Sequence, residues 1–217
     1  MIAVMILSGV IQWMLNKRFR EYSQVPLSTG LTGAQVAQKM LYDNGIRDVS
    51  IVSIDGTLTD HYNPETKTVN LSDEVFRGRS VAAAAVAAHE CGHVLQHAKG
   101  YAPLRLRTAL VPVVSFASKW VMWVLLAGVL LVEVFPQLLW VGIGLFALTT
   151  LFSIVTLPVE INASARAVDW LEQAGITNYE TRPMAVSALR WAAYTYVIAA
   201  IGSLATLFYY ISLGSRR

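Results

Sequence analysis

Ser80-Val81-Ala82-Ala83-Ala84-Ala85-Val86-Ala87-Ala88-His89-Glu90-Cys91-Gly92-His93 decides how the chain is read. A serine suited to cap a helix, followed by strong helix formers, predicts a helix from Ser80, and Gly100 predicts its stop. On that helix His89 and His93 stand four residues apart. Their side chains lie one above the other on one face, so both imidazoles can reach one ion. Neutral imidazole nitrogens suit zinc, and Glu90, beside the first histidine, can polarise an attacking water. The plainer alternative is an ordinary helix whose histidines are satisfied by hydrogen bonds.

The helix sits in an apolar chain. Of 217 residues, 55% are hydrophobic and 14% charged, which excludes an ordinary soluble protein. Four apolar stretches account for this: Ile2 to Leu15, about Val111 to Phe135, Leu138 to Leu157, and Trp191 to Leu213. The last three reach the roughly 20 residues that cross a bilayer core. The first is shorter, lacks a small-residue cleavage site and is followed by Lys17-Arg18-Phe19-Arg20. It reads as a retained membrane anchor, with an interfacial helix as the alternative.

The net charge of +3 is explained by topology and calls for no nucleic-acid partner. Of the 17 Lys and Arg residues, 14 fall between Lys17 and Arg107 or between Arg166 and Arg190. The link between the second and third stretches, around Glu133 to Gln137, has no positive charge. The positive-inside bias therefore puts both basic segments in the cytoplasm, with Arg216 and Arg217 opposing if the last stretch crosses fully. The single cysteine, Cys91, excludes an internal disulfide.

Between the first stretch and the motif helix, Thr32 is a plausible N-cap for a helix from Gly33 to Asn44, closed by Gly45. Val49 to Ile54 reads as a strand ended by Asp55-Gly56. Leu58 to Tyr62 and Thr68 to Leu71 read as two more strands around the turn Asn63-Pro64-Glu65-Thr66. Ser72-Asp73-Glu74 can start a brief helical turn. An exposed edge strand beside the metal could bind an extended peptide by backbone pairing, or the hairpin could simply cover the helix.

A catalytic zinc usually keeps three protein ligands and one open position. The candidates for the third are His97, Cys91, His61, Asp60 and Glu160. His97 lies two turns from His89, about 12 Å along the axis, too far for one straight helix to supply all three ligands. Cys91 points away from the histidine face and reads as core. Glu160 follows Pro158 at the end of the third apolar stretch, where an unpartnered carboxylate is expensive. Two spans separate it from His93, so the chain has returned to the side it left. The alternative is a helix-start acid favoured by the dipole. For stabilising an oxyanion, Arg166, His61, Tyr194 and Tyr196 are candidates. Asp60 and His61 could equally be ordinary hairpin residues.

The runs Leu58-Thr59-Asp60-His61-Tyr62-Asn63-Pro64, Val69-Asn70-Leu71-Ser72, Ala87-Ala88-His89-Glu90-Cys91-Gly92-His93 and Leu157-Pro158-Val159-Glu160-Ile161-Asn162-Ala163-Ser164 together resemble the YugP-type bacterial membrane zinc metallopeptidases. The resemblance covers essentially the whole chain, in order. It implies one zinc ion held by His89, His93 and Glu160, with Glu90 as catalytic acid and base. It implies a mainly α, multi-pass helical membrane protein with a small zincin-like α+β cytoplasmic portion, a short antiparallel sheet plus the H-E-x-x-H helix. The expected boundaries are an anchor at 1–16, a catalytic portion at 17–108, a two-span hairpin at 109–158, a cytoplasmic segment with the third ligand at 159–190, and a last span at 191–217. Partners would be a protein or peptide substrate and the lipid bilayer of a bacterial plasma membrane. Oligomeric state and any regulatory membrane partner stay open.

More distantly the chain is similar to HtpX-like and CAAX prenyl membrane proteases, whose third-ligand pattern runs Glu-x-x-Ala-Asp. Ser164 stands here where that aspartate would fall, so an orienting bond to a histidine is expected to be weaker or to come from elsewhere, such as Asp60. Two rival functions follow. One is a catalytically silent adaptor that keeps zinc structurally. The other is an intramembrane-cleaving protease, which the charges bracketing the motif helix (Arg77, Arg79, Lys99, Arg105, Arg107) disfavour.

Overall fold

The computed structural model describes residues Ile2–Ser215; Met1, Arg216 and Arg217, the last two weighed above for orientation, lie outside the described residues. Ten elements follow one another: α1 (Ile2–Ser23), α2 (Gly33–Asp43), β1 (Ser50–Ile54), β2 (His61–Asn63), β3 (Thr68–Ser72), α3 (Asp73–Arg77), α4 (Val81–Ala98), α5 (Ala102–Leu130), α6 (Pro136–Gln173) and α7 (Arg182–Ser215). They form two compact units, residues 2–9, 102–158 and 195–215 in one, and residues 10–101 and 159–194 in the other.

In the second unit α4 is the central element. The Ser80 side chain accepts a hydrogen bond from the Ala83 amide and starts the helix; Gly100, at φ +61°, ends it. Alanine lets neighbours approach on almost every side, and residues 82–85, 87 and 88 are all buried. Val36, Met40 and Leu41 of α2, Val75 of α3, and Val69 and Leu71 of β3 complete this core. Removing a side chain such as Leu41 or Leu71 from water contributes roughly 1.5–3 kcal/mol each. Helix α2 has the predicted start, with a full capping box between Thr32 and Gln35. It ends at Asp43, and Gly45 then takes φ +74°.

The sheet is mixed, which corrects the expectation of a short antiparallel sheet. Strand order is β1-β3-β2. The β2–β3 pair is the expected antiparallel hairpin, but β1 pairs with β3 in parallel, from Ser50 opposite Thr68 to Ile54 opposite Ser72. After β1 the chain crosses to the far edge before returning, so β3 falls between its two predecessors. The predicted strand from Leu58 starts only at His61. Leu58 sits at φ +57°, and the Thr59 hydroxyl donates to the Asp55 carbonyl, so these residues belong to the crossing loop.

Among the described residues three helices are long and apolar enough to cross a membrane: α5, α6 and α7, at 29, 38 and 34 residues. Each exceeds the apolar stretch that announces it. Helix α5 begins at Ala102 and keeps Pro112 inside; α6 continues through Pro158 to Gln173. A proline inside a helix removes one backbone hydrogen bond without obliging the helix to stop. Glu160 therefore lies well inside a helix, which removes the helix-start alternative. In the first unit the α5–α6 pair is close-packed at Gly128, where an added Cβ would stand 2.6 Å from the Leu139 backbone.

Candidate metal centre

Within the second unit α4 comes into close backbone contact with α6 at Gly92. A Cβ on Gly92 would lie 2.6 Å from the Ala163 carbonyl oxygen, so only a hydrogen permits this approach. The glycine falls between the two motif histidines, and the approach brings Glu160 of α6 under both imidazoles. Glu160 Oε2 is 3.3 Å from His89 Nε2 and 3.6 Å from His93 Nε2. One ligand atom from each of the three residues lies within 4.8 Å of the others.

Those separations test whether a metal fits. Ligand atoms about 2.0–2.2 Å from a tetrahedral zinc stand roughly 3.3–3.5 Å apart. The two measured edges match that spacing. The donor set of two imidazoles and one carboxylate is also one that zinc accepts. The site is well shielded, with side-chain exposures of 13% for His89, 11% for His93 and 4% for Glu160. Two nitrogens and a carboxylate gathered there could hold a cation between them.

The outer ring nitrogens are both occupied. His93 Nδ1 lies 3.1 Å from Gln96 Oε1, and His89 Nδ1 lies 3.1 Å from Ser164 Oγ. Ser164 thus takes the orienting position itself, as a neutral partner in place of an aspartate, rather than leaving it to a residue elsewhere. Asp60, proposed for that role, instead accepts hydrogen bonds from the Ser72 amide at 2.8 Å and hydroxyl at 3.1 Å. Burial raises the Asp60 carboxyl above its usual range, against the opposing effect of those bonds. For His93, burial works against the charged ring, but the hydrogen bond to Glu160, the charges of Glu90 and Glu160 and the bond to Gln96 raise its affinity for a proton.

Glu90 is 7% exposed and lies on the same helix, near enough for its charge to act on His93. Arg166 donates from Nε to Asn162 Oδ1 at 2.8 Å, and Asn162 Oδ1 also accepts from Gln96 Nε2 at 3.1 Å. His61 is exposed, with Nδ1 donating to the Thr59 carbonyl at 2.8 Å. Tyr194 packs its ring edge-on against Trp191. Among the described residues His97 stays out of the metal-capable group, its Nδ1 sitting 3.1 Å from the Tyr62 hydroxyl. Cys91 is buried, its thiol donating to the Ala37 carbonyl.

Three positions escaped sequence reasoning: Gly92, Gln96 and Asn162. Gln96 could have been suspected, because it stands three residues after His93 and so on the same helix face. Asn162 had no usable signal until α6 was known to continue past Pro158.

Residues 1–215 match the model of a family described as "Putative neutral zinc metallopeptidase". The chain is similar to "Putative membrane protease YugP" of Bacillus subtilis (strain 168), 41% identical over 212 residues, covering 98% of this chain and 93% of that protein. No solved structure matches. The chain belongs to this zinc metallopeptidase family.

Proposed function

We propose that this family member is a membrane-embedded zinc endopeptidase of the H-E-x-x-H, zincin-like type, acting on membrane or membrane-proximal proteins. The observation that carries the reading is the convergence of His89, His93 and Glu160 on one ion-sized gap, from helices separated in sequence by two apolar stretches. In support of the membrane, α5, α6 and α7 present large apolar side chains outward, among them Trp120, Met122, Trp123, Leu130, Phe208 and Tyr209. Such surfaces are unfavourable in water and natural in lipid. The distribution of lysine and arginine favours a bacterial plasma-membrane protein whose metal centre faces the cytoplasm.

His89 and His93 through Nε2, and Glu160 through its carboxylate, would hold one zinc ion per chain. When bound, zinc supplies Lewis acidity that brings the pKa of water near neutrality and polarises a carbonyl. Glu90 accepts the proton of the water that attacks the peptide carbonyl and delivers it to the leaving amine. Ser164 and Gln96 hold the two rings so that Nε2, not Nδ1, faces the ion. Burial of the three ligands excludes bulk water and strengthens each of these interactions.

The test uses full-length protein purified in detergent. Glu90→Gln is expected to retain zinc and lose roughly 10²–10⁴-fold in cleavage of a casein-like or membrane-protein substrate. Equal processing by variant and wild type would sink the enzymatic reading in favour of a silent adaptor. Undiminished zinc content in His93→Ala would separately remove the ligand assignment.

A further inference from the structure

Gln96 is fully buried, and its amide is committed at both ends. Nε2 donates to the Val159 carbonyl at 2.7 Å and to Asn162 Oδ1 at 3.1 Å. A backbone carbonyl only accepts, so the nitrogen must face Val159 and the oxygen must face His93. Oε1 also only accepts, so His93 Nδ1 carries the hydrogen. In the neutral ring this leaves the lone pair on His93 Nε2, the atom that faces Glu160, as a metal ligand requires.

The other end of the same amide acts on the opposite helix. Val159 directly precedes Glu160, so a hydrogen bond to its carbonyl fixes the backbone that carries the third ligand. Asn162 Oδ1, held from the far side by Arg166 Nε, gives the amide its remaining acceptor. One side chain thus touches a ligand from α4 and the backbone next to a ligand from α6.

We infer that Gln96 is a positioning residue that sets the His93 tautomer and ties α6 to α4 at Glu160, so that both halves of the metal site are held by one amide. The inference rests on the metal-site reading above. It goes further, because it says that zinc affinity depends on a residue that never touches the ion.

The test measures zinc affinity of the full-length protein in detergent by competition with a chromophoric chelator. Visible absorption of the cobalt(II)-substituted protein and melting of the metal-free protein accompany it. Gln96→Met keeps the volume and removes all three hydrogen bonds; it is expected to weaken zinc binding 10- to 100-fold and to alter the cobalt bands. Gln96→Glu keeps an acceptor for His93 Nδ1–H but loses the donor to Val159, and is expected to fall between Gln96→Met and wild type.

A residue that merely fills the core would lower the melting temperature of the metal-free protein and leave zinc affinity and cobalt bands alone. That result in Gln96→Met would overturn the proposal. Should Gln96→Met not fold, Gln96→Glu decides: reduced affinity supports the proposal, and wild-type affinity overturns it. Absence of zinc from wild-type protein would instead refute the metal-site reading, so the two failures are distinguishable.

Discussion

Replacing Gly92 by alanine adds one methyl group where α4 meets α6, and the structure gives the size of the effect. The new Cβ would sit 2.6 Å from the Ala163 carbonyl oxygen and 3.1 Å from its Cα, against about 3.4 Å for ordinary contact. The backbone atoms cannot rotate away as a side chain would, so the helices must separate locally by about 0.8 Å. Taken up between the ligands, that shift carries the 3.3 Å and 3.6 Å edges to about 4.1 and 4.4 Å. A zinc site tolerates about 0.2 Å in each bond, and a change of the Glu160 rotamer recovers only part of the gap. Zinc affinity should fall at least about 100-fold, close to 2.7 kcal/mol, while overpacking itself costs roughly 1–3 kcal/mol of stability. The measurement is chelator competition on full-length protein, with peptidase activity followed in parallel. Gly144→Ala is the control: it lies in α6, and its added Cβ meets nothing within 4 Å. That variant should bind zinc like wild type. If Gly92→Ala also bound zinc and cleaved substrate like wild type, the claim that close helix contact assembles the ligands would be wrong.

Ser164→Ala removes the partner of His89 Nδ1 and should lower zinc affinity about tenfold, whereas Ser164→Asp should match or exceed wild type; equal affinity in all three proteins would remove the orienting role. Cys91 should be inert in the folded protein, because burial, with the Glu90 charge adding to it, pushes its thiol up from the usual range. A maleimide at neutral pH should label it only after unfolding, and rapid labelling of native protein would contradict the packing of α4 against α2.

What could be read from the sequence was local. Thr32 with Gln35, Ser80 before an alanine run, and glycines at 45 and 100 each determine a helix end within a few residues. The histidine pair needed nothing beyond helical periodicity. Glu160 was reachable because an ionisable group beside an apolar stretch demands a partner, and parity of crossings constrains which side it faces. The parallel β1–β3 pairing was not legible, since nothing in Ser50–Ile54 distinguishes a parallel from an antiparallel neighbour. The lengths of α5 and α6 were missed for a different reason. Pro158 read as the end of an apolar stretch, yet both Pro112 and Pro158 lie inside helices, each of which continues across the missing bond. Misplacing that end concealed Asn162, whose orientation depends on the helix continuing.

The two histidines are held by unlike partners, and the difference follows from charge. Gln96 presents an oxygen that only accepts, so it dictates the tautomer of His93. Ser164 presents a hydroxyl that donates or accepts, so it positions His89 while leaving the choice of tautomer to the Nε2 side. Glu160 supplies the one carboxylate of the candidate ligand set, and Glu90 stands on the same helix as both histidines. An aspartate in place of Ser164 would hold His89 more strongly but would bury a further carboxylate in a pocket whose ligands are nearly all shielded from water. A neutral partner on each imidazole therefore gives orientation without adding the cost of burying another charge.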